Sequence, residues 1–233
     1  MVICDHSSMI PAMFSLGSIV SAEVSAMLLA IPGADVSRRT ALMENVLRFR
    51  HAIFVEEKGC NDLQRPDGLE RDPFDDEHAV HHVCLRDDEI VGYQRLRPTT
   101  RPHLLTDVVG DPFRPRPPRG PRILEWTRFC VAPGWRDFRR RPDGPFLELA
   151  QGVVEWGLAR GIDTVTVVID RRLMVIAMQL RFFARLLGFP KRIGRDEGVA
   201  LRMSFNRETL ETIHEARGCS RRRVAESALD AAA

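Results

Sequence analysis

The run Ile123-Leu124-Glu125-Trp126-Thr127-Arg128-Phe129-Cys130-Val131 most constrains what this chain can fold into. It is apolar, β-branched and aromatic, and it lies between a proline-arginine loop, Pro112 to Arg122, and the breaker Pro133-Gly134. That pattern reads as a buried central strand. Yet it holds a carboxylate and a guanidinium, and buried strands seldom carry charges without partners. In a regular strand Glu125 and Thr127 share one face and Arg128 points to the other, unless a bulge re-aims one of them. Two readings follow: an internal ion pair bracing a sheet, or a base and an anion clamp in one cleft.

The 233 residues suit one α/β domain with a sizeable core. Hydrophobic content of 44% and charged content of 28% are those of an ordinary globular protein, and a net charge of +2 is too small to argue for nucleic acid. Arginine supplies nearly all the positive charge, with lysine only at Lys58 and Lys191. Any basic surface is therefore local. The five cysteines, Cys4, Cys60, Cys84, Cys130 and Cys219, form no C-x-x-C pair and no framework spacing, which fits a reducing cytoplasm. Met9 to Pro32 is apolar-rich, but no Lys or Arg precedes it and Glu23 interrupts it. Neither a secretory signal nor a membrane span is expected; the stretch reads as an extra helix or strand on the domain, or a partly ordered leader.

Periodicity predicts a helix over Val36 to Glu56, with Ser37 as N-cap and Gly59 as stop, which sets Arg50 and Phe54 one turn apart. From Cys60 to Asp76 runs a loop rich in Pro, Gly and Asp that carries Asp67, Glu70, Asp72, Asp75 and Asp76. It suits a ligand with a cation or hydroxyls, while composition alone reads as a solvated acidic loop. Ala79 to Arg86 and Glu89 to Arg97 form a hairpin about Asp87-Asp88, and a short helix with Leu104, Leu105 and Val108 follows. His78, His81 and His82 lack a second ligand cluster, so they read as strand-edge histidines and no metal site is expected. Arg136, Arg139, Arg140 and Arg141 feed a helix that starts at Asp143-Gly144-Pro145 and runs to Arg160, a natural anion seat. No aromatic interleaving or nucleic-acid motif accompanies them. Thr164 to Asp170 reads as a doubly covered strand, Arg171 to Leu187 as a helix stopped by Gly188, and Phe189 to Ile193 with Val199 to Phe205 as a closing strand pair.

Four separated motifs in order resemble those of the acyl-homoserine-lactone synthases, the LuxI-type autoinducer synthases. They are Arg50-x-x-x-Phe54, Glu70-x-Asp72-x-x-Asp75, Arg95-Leu96-Arg97-Pro98-Thr99-Thr100-Arg101-Pro102, and Glu125-Trp126-Thr127-Arg128-Phe129. The match spans about Leu42 to Phe205. Cys60 departs from the family's usual Trp, and Val109 from its usual Phe. The resemblance implies a single-domain α/β fold related to N-acetyltransferases, with a mixed central sheet flanked by helices and splayed central strands. Residues 37–206 would form that domain, 1–36 an N-terminal extension and 207–233 a C-terminal tail.

The implied reaction acylates the amine of S-adenosylmethionine from an acyl thioester, then closes a lactone and releases methylthioadenosine, with substrates but no cofactor or metal. By the same likeness Glu125 takes the proton and Arg128 shares the catalytic strand. Asp72, Asp75, Arg50, Arg95, Arg128 and Phe54 bind the adenosyl substrate. Phe129, Thr166 and Val109 line an acyl pocket, and the arginines Arg136 to Arg141 meet the phosphate of the thioester carrier. The carrier is coenzyme A or an acyl carrier protein, with Trp126 resembling the coenzyme A branch. No nucleic acid or membrane partner is implied, and a cytoplasmic location is expected. Two alternatives stay open: an acyltransferase for a different amine, and a non-catalytic binding protein on the same fold.

Overall fold

The computed structural model describes residues 26–107, 117–137, 139–193, 195–219 and 224–226. Along it run β1 (Ala26–Pro32), α1 (Thr40–His51), β2 (Val80–Arg86), β3 (Glu89–Pro98), α2 (Leu104–Asp107), β4 (Ile123–Val131) and α3 (Pro145–Leu158). Then come β5 (Thr164–Asp170), α4 (Arg171–Gln179), β6 (Phe183–Leu186), β7 (Lys191–Ile193), β8 (Asp196–Ser204), α5 (Arg207–Arg217) and β9 (Val224–Glu226). The strands form one mixed sheet in the order β6-β8-β5-β4-β3-β2-β1-β9, with β7 on β8. The run Ile123–Val131 is β4, at the centre as its composition requires. Val109, one of the expected acyl-pocket residues, lies outside the described residues.

Two features of the sheet create a site. First, β4 and β5 pair in parallel only from Ile123↔Thr164 to Trp126↔Val167; beyond that β4 pairs with β3 and β5 with β8, so a wedge opens between the central strands. Second, Tyr93 faces Cys130 but Arg95 faces Thr127, so two residues of β4 oppose Gln94 alone. The extra residue is Arg128, at φ 56°. A left-handed residue other than glycine in a strand marks a bulge that costs about 1–3 kcal/mol unless its surroundings hold it. Here the bulge puts Glu125, Thr127 and Arg128 on one side, and Trp126 and Phe129 on the other.

On that other side lies the larger core. α3 is apolar nearly all round because the sheet covers one flank and α5 the other. Leu147, Val153 and Val154 pack with Leu124, Trp126, Val165 and Val167, and the rings of Phe146, Phe129 and Trp126 continue the layer edge to face, with Phe182 tilted against Trp126. Across the sheet, α1 buries Met43 and Val46 against Ile31, Val83 and Tyr93.

Several expectations shift in detail. The first helix is three helical types in series: a 3-10 turn Gly33–Arg39, α1, and a π-helical turn Ala52–Glu57, with no side-chain cap from Ser37 and with Gly59 at φ 69° as its stop. The Asp87-Asp88 turn is as expected, with both residues at positive φ. The helix read to Leu187 is corrected: α4 stops at Gln179 because Arg181 takes a left-handed conformation and closes the end, with Phe182 N–H donating to the Ala177 carbonyl. Phe183 to Leu186 then adds to β8 as an edge strand. His81 and His82 are not at a strand edge: β2 lies between β3 and β1, and both rings are buried.

Candidate active site

Three elements and one loop bring six charged side chains together on the α1 side of the sheet. Arg50 comes from the last turn of α1, Arg95 from β3 and Arg128 from the bulge of β4; Glu70, Asp72 and Asp75 come from the acidic loop. They alternate in a closed ring. Arg50 Nε donates to Glu70 at 2.5 Å, and its two terminal nitrogens fork onto Asp75 at 2.7 and 3.0 Å. Arg95 reaches Asp75 at 2.6 Å and forks onto Asp72 at 2.7 and 3.0 Å. Arg128 Nη2 closes the circuit, 2.8 Å from Asp72 and 2.9 Å from Glu70. The expectation of a solvated loop is thereby corrected, because three arginines draw it inward.

The ring is neutral in sum and almost dry. Arg50, Glu70 and Arg95 are fully covered, whereas Asp75 keeps 13% of its side chain exposed and Asp72 and Arg128 keep 8%. Burial alone would raise the three carboxyls. The guanidiniums outweigh it and hold Glu70, Asp72 and Asp75 below the usual carboxylate range, Asp75 most of all. Every nitrogen of Arg50 and Arg95 is engaged, the Arg95 Nε by Thr127 Oγ1 at 3.2 Å, but Arg128 keeps Nη1 unengaged among the described residues. Its guanidinium lies 5.6 Å from the centre of the Phe54 ring, which the π-helical turn presents. Ligand access is therefore at Arg128, Asp72 and Asp75.

Glu125 belongs to the same sheet face but to a different environment. It does not pair with Arg128. Its carboxylate accepts N–H groups from Leu104 at 3.0 Å and Leu105 at 2.6 Å, the opening residues of α2. Burial raises its pKa, and the Leu105 N–H, the nearby His103 and the Leu104 N–H only partly offset that rise. A carboxylate has about four acceptor positions, so two remain for another proton donor. Arg97, opposite Glu125 in the ladder, is taken by Asp76 and by the Phe74 and Pro102 carbonyls.

Other expected site residues separate. Thr166 is buried beside Glu125 in register, on the ring side, while Phe129 packs on Phe146 and Trp126 on the α3 side. A slot lined by both must pass through the wedge between β4 and β5. Arg136 is engaged by both oxygens of Glu57 at 2.5 and 2.7 Å. Arg140 pairs with Asp137, Arg141 lies over the Trp135 ring, and Arg139 borders an apolar cavity of about 350 Å³ with Leu147, Ile176 and Leu180. No cluster of potential metal ligands occurs among the described residues. Residues that sequence reasoning left out of the site are Glu70, Tyr93, His81 and Arg97. Glu70 stands in the sequence as one of five acidic-loop carboxylates and as a motif position, with no role of its own; the Tyr93 hydroxyl, 2.7 Å from His81 Nδ1 and 3.5 Å from Arg50, emerges only once β2, β3 and α1 are packed.

A family model described as autoinducer synthase matches residues 35–213. The chain belongs to the autoinducer synthase family. Among its autoinducer synthase relatives, the isovaleryl-homoserine lactone synthase of Bradyrhizobium diazoefficiens is 34% identical over 176 residues, 75% of this chain and 78% of that protein. A solved coenzyme A-dependent acyl-homoserine lactone synthase, BjaI, with S-adenosylmethionine and isopentyl-coenzyme A, superposes with a TM-score of 0.78 at 31% identity, over 87% of this chain and 94% of that one. A second coenzyme A-dependent synthase, MesI, gives 0.74 at 28% identity over 85% and 98%. Autoinducer synthases thus share this sheet, and the fold is similar to that of an acyl-coenzyme A N-acyltransferase from Pseudomonas aeruginosa, with a TM-score of 0.50 at 16% identity over 76% of this chain and 99% of that one.

Proposed function

We propose that this chain is an acyl-homoserine-lactone synthase of quorum sensing, an acyltransferase that moves an acyl group from coenzyme A to the amine of S-adenosylmethionine and then forms the lactone. The observation that carries the reading is the convergence of the closed arginine-carboxylate ring and the separately held Glu125 on one face, beside a wedge in the sheet. Arg128, with a donor to spare, and the rim carboxylates Asp72 and Asp75 suit a substrate with both a carboxylate and a cationic end. Phe54 supplies an aromatic wall for the same substrate.

Glu125 is the base. Its raised pKa brings it toward the range in which a carboxylate accepts a proton effectively, and the two N–H groups of α2 fix its orientation. Backbone donors along the unpaired part of β4 suit the developing oxyanion of the thioester carbonyl. Once the amide exists, the substrate carboxylate attacks its own γ-carbon as the sulfonium leaves as methylthioadenosine; a pocket that holds the chain curled supplies the effective concentration. The thioester enters on the side of Arg139, Arg140 and Arg141, and Phe129 and Thr166 line its acyl end. Coenzyme A as carrier follows the two solved relatives. The reaction belongs to the cytoplasm, where both substrates are found.

Mass spectrometry of purified protein supplied with S-adenosylmethionine and a panel of acyl-coenzyme A thioesters tests the reading. Equimolar methylthioadenosine and acyl-homoserine lactone are expected. An amide without methylthioadenosine would place the chain among simple N-acyltransferases instead.

A further inference from the structure

One row of side chains crosses the sheet on the ring side, running through register partners Glu125 on β4, Thr166 on β5, Arg202 on β8 and Arg185 on β6. The two arginines at its far end are direct neighbours in an antiparallel pair, a placement in which like charges repel. Among the described residues neither has an ion-pair or hydrogen-bond partner, in contrast to the ring arginines. The Arg202 Nε–H is shielded from solvent with no acceptor. Arg202 borders an open pocket of about 230 Å³ with Thr164, Ser204, Asn206, the exposed ring of Phe183 and Asp163, whose carboxylate is already held by Arg122, so hydroxyls and an aromatic edge stand beside a cation with no ion-pair partner among the described residues. Two residues further along β5, on the same face, Val168 joins Leu105, Leu187 and Ala200 in a small apolar cluster. A chain that starts at Glu125 and passes Thr166 therefore meets apolar surface on one side and Arg202 on the other.

Resting on the synthase reading above, we infer that the acyl group transferred by this enzyme carries an oxygen acceptor at the end remote from its thioester, and that Arg202 selects it. Two adjacent guanidiniums favour a carboxylate there over a phenolic hydroxyl, and either over a methyl end, because only an acceptor relieves the orphaned N–H.

The test uses the full chain with S-adenosylmethionine and two matched pairs of coenzyme A thioesters: adipoyl against hexanoyl, and 4-hydroxycinnamoyl against cinnamoyl. The readout is the ratio of kcat/KM within each pair, followed through thiol and methylthioadenosine release. A ratio taken within one preparation is independent of how much of a variant is folded. The wild type is expected to favour the oxygen-tipped member of at least one pair by about tenfold. Arg202→Met should bring that ratio near one, and Arg202→Lys should keep part of it. A wild-type ratio at or below one in both pairs, or a preference that Arg202→Met leaves intact, overturns the inference while the synthase reading stands. If none of the thioesters releases methylthioadenosine, the synthase reading itself falls and the inference with it.

Discussion

The ring and Glu125 are two answers to the same problem, a carboxylate buried in the same sheet face. In the ring, burial is countered by full guanidinium charges arranged alternately, and all three carboxyls are held below their usual range. At Glu125 the main partners are two backbone dipoles, which fix the group without matching the cost of burying its charge, so its pKa rises. The ring therefore yields permanent anions with fixed geometry, fit to bind and unfit to take up protons. Glu125 is anchored and still basic. The division of labour between binding and proton transfer follows from partner type alone, since both regions are nearly dry.

The largest expected effect breaks the ring. Asp75→Asn removes the anion shared by Arg50 and Arg95 and leaves a buried uncompensated positive charge, a change that costs about 3–5 kcal/mol in comparable buried pairs. Chemical denaturation should show a lower midpoint, with loss of S-adenosylmethionine affinity in whatever remains folded. Unchanged stability would mean that the six groups do not act as a unit, and the contrast with Glu125 would dissolve.

Glu125→Gln sharpens the same contrast from the other side. The amide keeps the volume and one carbonyl acceptor for the α2 N–H groups, so folding should lose no more than about 1–2 kcal/mol. Turnover should fall by roughly 10² to 10⁴ because the base is gone, with little change in KM for S-adenosylmethionine. In the wild type, kcat should rise with pH through the elevated Glu125 pKa to a plateau, since only the ionised carboxylate can accept the proton; the acid limb should vanish in the variant. A variant with near-normal kcat would remove Glu125 from the chemistry.

These contrasts were only partly legible beforehand. The central strand, the Asp87-Asp88 hairpin and the covered strand β5 follow from local pattern, because alternation and turn chemistry act within a few residues. The strand Glu125-Trp126-Thr127-Arg128 announced that something unusual must happen at its arginine, and a bulge was one of two outcomes. What could not be read was the partner of each charge. Glu70 and Arg128 are 58 positions apart, and the α2 turn that holds Glu125 follows a loop with no periodicity of its own. The end of α4 was missed for a related reason: Arg181 closes the helix where glycine ordinarily would, so nothing in the apolar run to Leu187 marks the change to strand.

Acidification separates the regions by pH. Burial lowers His81 to about 4 and His82 to about 3, from 6.5. The unfolded chain then binds protons that the folded one refuses, so their contribution to stability is complete above pH 6.5 and declines as pH falls toward 4 and 3. The ring carboxylates are also depressed, and their share is lost only below the ordinary carboxylate pKa, near 4. Acid unfolding should accordingly begin on the histidines. His82→Asn should flatten the stability slope between pH 6.5 and 4 by up to about 1.4 kcal/mol per pH unit, measured by urea midpoints at stepped pH. A slope unaltered by that substitution would remove His82 from the acid response and leave it to His81 and the ring.

The smallest effect concerns arginines that are not in a ring. Arg136 has a fork onto Glu57 like those inside the site, but each partner keeps 40% of its side chain exposed. An exposed pair of this kind contributes about 0–1 kcal/mol, so Arg136→Ala should barely move the denaturation midpoint. If the segment around the start of α3 receives the thioester's phosphate, the work falls mainly on Arg139, Arg140 and Arg141, because Arg136 must first release Glu57. KM for acyl-coenzyme A should therefore rise less in Arg136→Ala than in a triple replacement of Arg139, Arg140 and Arg141 by glutamine, with KM for S-adenosylmethionine steady in both. The reverse order would show that Glu57 is a placeholder displaced by phosphate, and that even an exposed fork in this protein is built for a ligand.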